Sequence, residues 1–305
     1  MTSSVKVVRK RLADGSIREY RYPRAAKPSP PSYAPDSLDA LLAAYRRSQE
    51  WSGLAKQTRA VYSVYLRNLD KIRHLKARDL RRRLLLDIRD AIAKARGNGA
   101  ATGFIRATSA LMAWAVDREW IDHHPLLRVK ALPSGHLPAW SEEDAARALA
   151  ALDEPFRRVV VLGLHTGQRR GDLIALTWNA YDGQTIRLRQ NKTGAPLILP
   201  VHPTLKAELD AWKETRKAAV ILTSPQGRAW TAAHLTREMG KRLAALGLPG
   251  LNIHGLRKLA AARLADAGAS VHEIAAITGH ASLSMVALYT LSLIHISEPT
   301  RQRQP

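Results

Sequence analysis

Two proline-rich breaks constrain this chain more than any other feature. Lys27-Pro28-Ser29-Pro30-Pro31-Ser32-Tyr33-Ala34-Pro35 and Ala131-Leu132-Pro133-Ser134-Gly135-His136-Leu137-Pro138 cannot continue a helix. Each proline lacks a backbone N–H and pushes the residue before it out of the α region. Both stretches read as linkers, and they divide 305 residues into a short leader and two stretches that can each bury a core.

The leader, residues 1–36, carries eight Lys or Arg against three acids between Val5 and Asp36. Its strand-like runs flank Ala13-Asp14-Gly15-Ser16, and Asp-Gly between such runs predicts a β-hairpin. It reads as a basic hairpin arm followed by a linker. From residue 37 to 135 the period is helical: Leu38, Leu41, Leu42 and Tyr45 recur on one face, as do Val61, Tyr65, Leu66 and Leu69, and then Leu84, Leu85, Ile88, Ala91 and Ile92. A further helix is expected from about Ala101 to Glu119. Between Tyr65 and Arg96 eleven basic residues face four acids, a density suited to tracking phosphates.

The third stretch, 137–290, opens with Ser141-Glu142-Glu143-Asp144, where Ser141 is placed to cap a helix and Asp144 to complete a capping box. Helices are expected at about 142–152, 155–166, 203–215, 231–245, 256–267, 270–277 and 282–290. Thr185–Arg189 and Pro196–Val201 read as two strands around Gln190-Asn191-Lys192-Thr193-Gly194. The expected class is mainly α with a small β-sheet, an α+β domain preceded by a separate all-α domain.

Charge narrows the function. Forty-eight Lys and Arg against twenty-six Asp and Glu leave +22, a one-sided balance whose self-repulsion costs stability unless a polyanion answers it. Nucleic acid fits better than a membrane surface, since no apolar run approaches the ~20 residues of a spanning helix and no signal-peptide core is present. There is no cysteine, which removes disulfides and thiolate metal sites and points to a reducing, cytoplasmic setting.

Five polar sites stand out in the third stretch: Thr166–Leu173 (TGQRRGDL), Lys192, His254–Arg257 (HGLR), Gly279-His280, and Tyr289. Attack on a phosphodiester builds a second negative charge on the non-bridging oxygens. Arginine answers that charge with a planar fork that never deprotonates. Glycines beside Arg169 and His254 are compatible with backbone close to a ligand. With no cysteine and no Gly-x-Ser-x-Gly or Ser-x-x-Lys pattern, the nucleophile is a Tyr, Ser or Thr hydroxyl. A free tyrosine is only ~0.1% ionised at pH 7, a cost of about 4 kcal/mol that neighbouring positive charge can offset. The leaving alkoxide needs a general acid, and Lys192 on a hairpin can be one. The acids Asp172, Asp182 and Asp266 are scattered among basic residues, so neither a metal centre nor a cofactor is expected.

The order of these motifs resembles the tyrosine recombinase family, most closely its phage and mobile-element integrases. Arg within TGxRxxD/E, a hairpin Lys before a strand ending in Pro, HxLR, GH, and a Tyr nine residues after that His all occur in the family's order. The resemblance covers 137–290, and 37–135 is similar to the family's all-α, SAM-like core-binding domain. It implies an enzyme, a site-specific DNA strand transferase. Arg169 and Arg257 would clamp the scissile phosphate, His254 would take or relay the tyrosine proton, Lys192 would protonate the 5′ oxygen, and His280 would hydrogen-bond the phosphate. Tyr289 would attack to give a 3′-phosphotyrosyl link, with Asp172 as a bracing acid at a position where many members carry the longer Glu. Arg170 would be a surface contact. The implied partners are duplex DNA at attachment sites, three further copies of the chain on synapsed DNA, and a directionality factor or host DNA-bending protein.

Two other readings use the same residues. A relaxing enzyme of the type IB kind shares the covalent step. In a non-catalytic regulator, ASVHEIAAITGHASLSMVALY would be a helix-turn-helix with Ser282–Tyr289 as recognition helix, which leaves Arg169, Lys192 and Arg257 unexplained. Residues 291–305 read as a translated sequencing adapter rather than native protein. Leu291, Leu293, Ile294 and Ile296 make no helical face, and Pro299 stops any helix. Without them the charge is still +21.

Overall fold

A computed structural model describes residues 5–11, 16–23, 34–135 and 137–280. The chain divides into two compact units, Met1–Ser134 and Gly135–Pro305. The helix expected at 282–290, the rival recognition helix, Tyr289 and the 291–305 tail all lie outside the described residues.

In the first unit β1 (Val5–Arg11) and β2 (Ile17–Pro23) pair antiparallel, from Val5 opposite Pro23 to Arg11 opposite Ile17. The helices are α1 (Leu38–Arg47), α2 (Gln49–Gly53), α3 (Lys56–Leu66), α4 (Arg82–Arg96) and α5 (Asn98–Asp117). Ser37 caps α1, accepting from Ala40 N at 3.3 Å, and Leu38, Leu41, Leu42 and Tyr45 are all buried. They pack with Leu66, Leu69, Phe104 and Leu111 in one apolar core, each large side chain contributing roughly 1.5–3 kcal/mol. Val61, grouped with Leu66 and Leu69 by its spacing, is 39% exposed. The helix stops at Leu66 and tightens into a 3₁₀ turn, Arg67–Ile72, so Leu69 turns inward on a different period from Val61. Gly97, at φ +84°, ends α4 and opens α5 three residues earlier than expected.

The second unit is mainly helical with one antiparallel hairpin, the expected class. Its helices are α6 (Glu142–Ala151), α7 (Glu154–Thr166), α8 (Arg170–Ala175), α9 (Pro203–Glu214), α10 (Ala232–Ala245), α11 (Ile253–Asp266) and α12 (Val271–Thr278), and its strands are β3 (Thr185–Arg189) and β4 (Pro196–Pro200). The capping box at Ser141 forms as expected, with Asp144 N donating to Ser141 Oγ at 3.0 Å and Ser141 N to Asp144 Oδ2 at 3.2 Å. Helix α11 buries Leu256, Arg257, Leu259, Ala260, Ala261 and Ala262 around successive turns and is therefore central. Helix α7 lies so close that a Cβ on Gly163 would meet Leu256 at 3.0 Å. The entering segment crosses α11: Lys258 Nζ donates to Leu137 O at 2.6 Å, the Trp140 indole to Asn252 O at 2.8 Å, and Arg263 forks onto Glu142 at 2.8 and 2.6 Å. Among the described residues no helix is long and apolar enough to cross a membrane, and no group of three or more His, Cys, Asp or Glu is placed to hold a metal ion.

Candidate active site

Among the described residues, each candidate side chain is delivered by a helix end or a turn. Helix α7 stops at Gly167, left-handed at φ +61°. Gln168 and Arg169 follow in extended form before α8, which the sequence reading did not anticipate because six residues are too few to show a period. The hairpin turn between β3 and β4 carries Lys192 on the surface. Asn252 caps α11, its Oδ1 accepting from His254 N at 3.0 Å and Gly255 N at 3.2 Å. The helix thus begins three residues earlier than expected, and His254 and Arg257 sit one turn apart at its start. Ser270 and Glu273 form a capping box on α12, which ends at Gly279, left-handed at φ +69°, immediately before His280.

The elements meet at the carbonyl end of α12. Gln168 Nε2 donates to Ile277 O at 2.8 Å, Gln190 Nε2 to Thr278 O at 2.9 Å, and Arg169 Nη2 to Gly279 O at 3.3 Å. Arg257, only 1% exposed, donates from Nη1 to Thr278 O and, at 2.9 Å, to Gly167 O. These bonds occupy carbonyls that a helix end otherwise leaves without partners. They also set two guanidinium groups against the negative pole of the helix.

The histidines register the concentrated charge. His280 is driven down to about 4, first by burial and then by Arg257, Arg169 and His254. His254, an exposed residue with a crowded ring, is held below the usual imidazole value, first by burial and then by Arg257, Lys258, Arg169 and Lys192. Both shifts favour the neutral ring at pH 7. Thr278 Oγ1 donates its one hydrogen to Ile274 O at 2.5 Å and lies 2.7 Å from His280 Nδ1. Nδ1 is therefore assigned as the donor, with the ring's lone pair on Nε2.

Asp172 is buried, and its Oδ1 accepts from the backbone N–H of Asn191 at 2.8 Å, tying α8 to the turn that carries Lys192. Its Oδ2 is buried with no hydrogen-bond partner among the described residues. Arg170 is exposed and donates to Thr236 Oγ1 on α10. The glycine beside His254 has a different use from backbone access to a ligand. A Cβ on Gly255 would stand 2.6 Å from Trp140 Cδ1 and 2.7 Å from Pro138 O, so Gly255 admits the segment that crosses α11.

Sequence reasoning missed Gln168, Gln190 and Thr278, all buried. A single buried amide leaves no periodic trace. The one available signal was Gly279, a left-handed helix stop followed directly by a candidate histidine.

A mainly helical unit that brings two arginines and a histidine together at one helix end, beside a lysine-bearing hairpin turn that Asp172 and Gln190 tie to the same elements, has the architecture of a DNA strand transferase. Residues 140–294 match the phage integrase family model, and the chain belongs to that family, as a tyrosine-type DNA recombinase. Among curated relatives, the tyrosine recombinase XerC of Mycobacterium bovis (strain BCG / Pasteur 1173P2) is 29% identical over 264 residues, covering 78% of this chain and 89% of XerC. The integrase of Mycobacterium phage FRAT1 is 25% identical over 208 residues, covering 60% and 62%. Among solved structures, a lambda integrase dimer bound to a COC′ core site aligns with TM-score 0.72 at 20% identity, covering 88% of this chain and 79% of that one. The Tn1549 transposon integrase in complex with circular intermediate DNA aligns with TM-score 0.67 at 16% identity, covering 86% and 99%. These structural likenesses bear on the fold.

Proposed function

We propose that this chain is a site-specific recombinase that cuts and rejoins duplex DNA through a 3′-phosphotyrosyl link at Tyr289, serving the integration or excision of a phage or mobile element. The observation that carries this reading is the convergence of Arg169, Arg257 and His280 at the end of α12, with His254 one turn before Arg257 on α11 and Lys192 on the turn that Asp172 ties to α8.

In this reading the Tyr289 oxygen attacks the phosphorus as its proton passes to neutral His254. The P–O5′ bond breaks, and the Lys192 ammonium protonates the departing oxygen. Arg169 and Arg257 offset charge on the non-bridging oxygens, the term that dominates such chemistry. His280 can donate to a phosphate oxygen from Nε2 after taking up a proton or exchanging tautomers. Asp172 braces the Lys192 turn. The phosphotyrosine conserves the energy of the broken bond, so attack by another 5′ hydroxyl completes strand exchange. The helical unit and basic hairpin would grip the duplex by phosphate contacts. Four copies would act on synapsed DNA, consistent with a lambda integrase tetramer solved on a Holliday junction, and a directionality factor or DNA-bending protein would bias the outcome.

A nicked duplex library of randomised sequence tests the reading. The protein should form an adduct that survives denaturation, and Tyr289→Phe should lose the adduct while binding the captured duplex within about twofold of the parent. An adduct formed by Tyr289→Phe would overturn the assignment. A second reading, a XerC-type recombinase without an element of its own, is favoured by the fuller coverage of XerC, 89% against 62% for the phage integrase. Attachment repeats flanking the gene would decide for the element.

A further inference from the structure

The geometry points to Gln190 as a positioning residue for strand cleavage: one buried amide fixes the Arg169 guanidinium, the Lys192 turn and the Gly279-His280 turn against a common reference. This rests on the proposed roles of Arg169 and Lys192. The side chain is 1% exposed and uses both ends of its amide. Oε1 accepts from Arg169 Nη1 at 2.7 Å and from Thr193 Oγ1 at 3.1 Å. Nε2 donates to Thr278 O at 2.9 Å and to Gln168 Oε1 at 2.9 Å. Its backbone closes the turn, with Gln190 N donating to Ala195 O at 2.9 Å and Gly194 N to Gln190 O at 2.8 Å.

Gly279 supplies an independent observation. A Cβ there would lie 2.2 Å from Gln190 Nε2 and 2.5 Å from its Cδ, so the backbone before His280 rests directly on the amide. A hydrocarbon of the same length can fill this space but cannot orient a guanidinium. A carboxylate would set an oxygen against the Thr278 and Gln168 oxygens where Nε2 now donates. Glutamine alone accepts from Arg169 and donates to the helix end at once. A guanidinium displaced by about 1 Å is enough to slow a positioned reaction roughly a hundredfold.

The test compares Gln190→Met and Thr193→Val with the parent protein on the duplex captured from the randomised library. Single-turnover adduct formation and DNA affinity are measured separately, and His280 is titrated by NMR in the DNA-free protein. Gln190→Met should slow cleavage about 10- to 100-fold with affinity within about twofold. It should also move the His280 titration up from about 4, because Arg169 is no longer held beside the ring. Thr193→Val, on the exposed turn, removes the bond to Gln190 Oε1 and a longer one within the turn, from Ala195 N at 3.4 Å, and leaves the Arg169 and Thr278 bonds of Gln190 in place. It should slow cleavage about threefold and leave His280 where it was. Parent-like cleavage and an unmoved His280 in Gln190→Met would overturn the proposal, as would rate and affinity falling by the same factor. If Gln190→Met does not fold, Thr193→Val decides alone, and a parent-like rate there overturns it. If the parent forms no adduct, the functional reading fails, and the His280 titration still decides whether Gln190 holds Arg169 in place.

Discussion

The two units handle buried polar groups in opposite ways. In the first, the fully buried polar side chains are Ser37, which caps α1, and Thr108, whose hydroxyl has no hydrogen-bond partner among the described residues. In the second, Thr166, Gln168, Asp172, Gln190, Arg257 and Thr278 are all buried, and all belong to the region between the end of α7 and the end of α12. Only Ser224, which closes a turn with Arg228, stands apart. Burying a polar group is costly unless its bonds are made; most of these bonds are made, Asp172 Oδ2 being an exception among the described residues, and such a network fixes one arrangement where apolar packing tolerates several. The first unit is held by shape, and the second adds a polar frame around Arg169 and Arg257, where the proposed chemistry calls for fixed charge.

The largest expected effect that can break this contrast is at Arg257. Arg257→Met keeps much of the volume but leaves the Gly167 and Thr278 carbonyls without that donor, and should cost about 3 kcal/mol or more in urea unfolding. A loss under about 1 kcal/mol would mean that the network adds little. Next come two left-handed glycines. Gly279→Ala meets both backbone strain and the Gln190 amide, so about 3 kcal/mol is expected. Gly97→Ala, at φ +84° and ψ 165° with nothing within 4 Å, meets backbone strain without a steric clash and should cost about 2 kcal/mol. Equal losses would place the cost in the backbone alone.

His280 gives a pH signature. Its folded value near 4 lies below the unfolded value of 6.5, so the unfolded chain binds the proton first as pH falls. The stabilisation is present above pH 6.5 and is lost as pH falls towards 4. His280→Gln should flatten the dependence of Tm on pH across that window, and an unchanged slope would show that the ring is not held neutral. The smallest effect is expected in the helical unit: Thr108→Val removes a buried hydroxyl that bonds to nothing described, so stability should hold or rise by up to about 1 kcal/mol. A clear loss there would erase the contrast.

Much of the fold was legible because it rests on period and capping. Leu38, Leu41, Leu42 and Tyr45 announce α1, and Ser141 with Asp144 announces α6. Val61 misled because five residues of α-helix set it about 140° away from buried Leu66, and Leu69 comes inward only through the 3₁₀ turn that follows. At the site, Arg169, Arg257 and His280, three of the residues named from the order of the motifs, lie at the end of α12. The frame holding them was not legible, because Gln168 and Gln190 are single residues whose partners lie 109 and 88 positions away. Gly255 read as backbone close to a ligand, and only the packing of Trp140 and Pro138 against it shows that it admits the crossing segment.

The most direct measurement is the site and polarity of the covalent link. Adduct from the captured duplex would be digested and mapped by mass spectrometry, with the duplex labelled at its 3′ or its 5′ end. The account predicts a nucleotide 3′-phosphate on the peptide containing Tyr289 and a free 5′ hydroxyl on the departing strand. A nucleotide on any other residue, or a link through the 5′ phosphate, would contradict it.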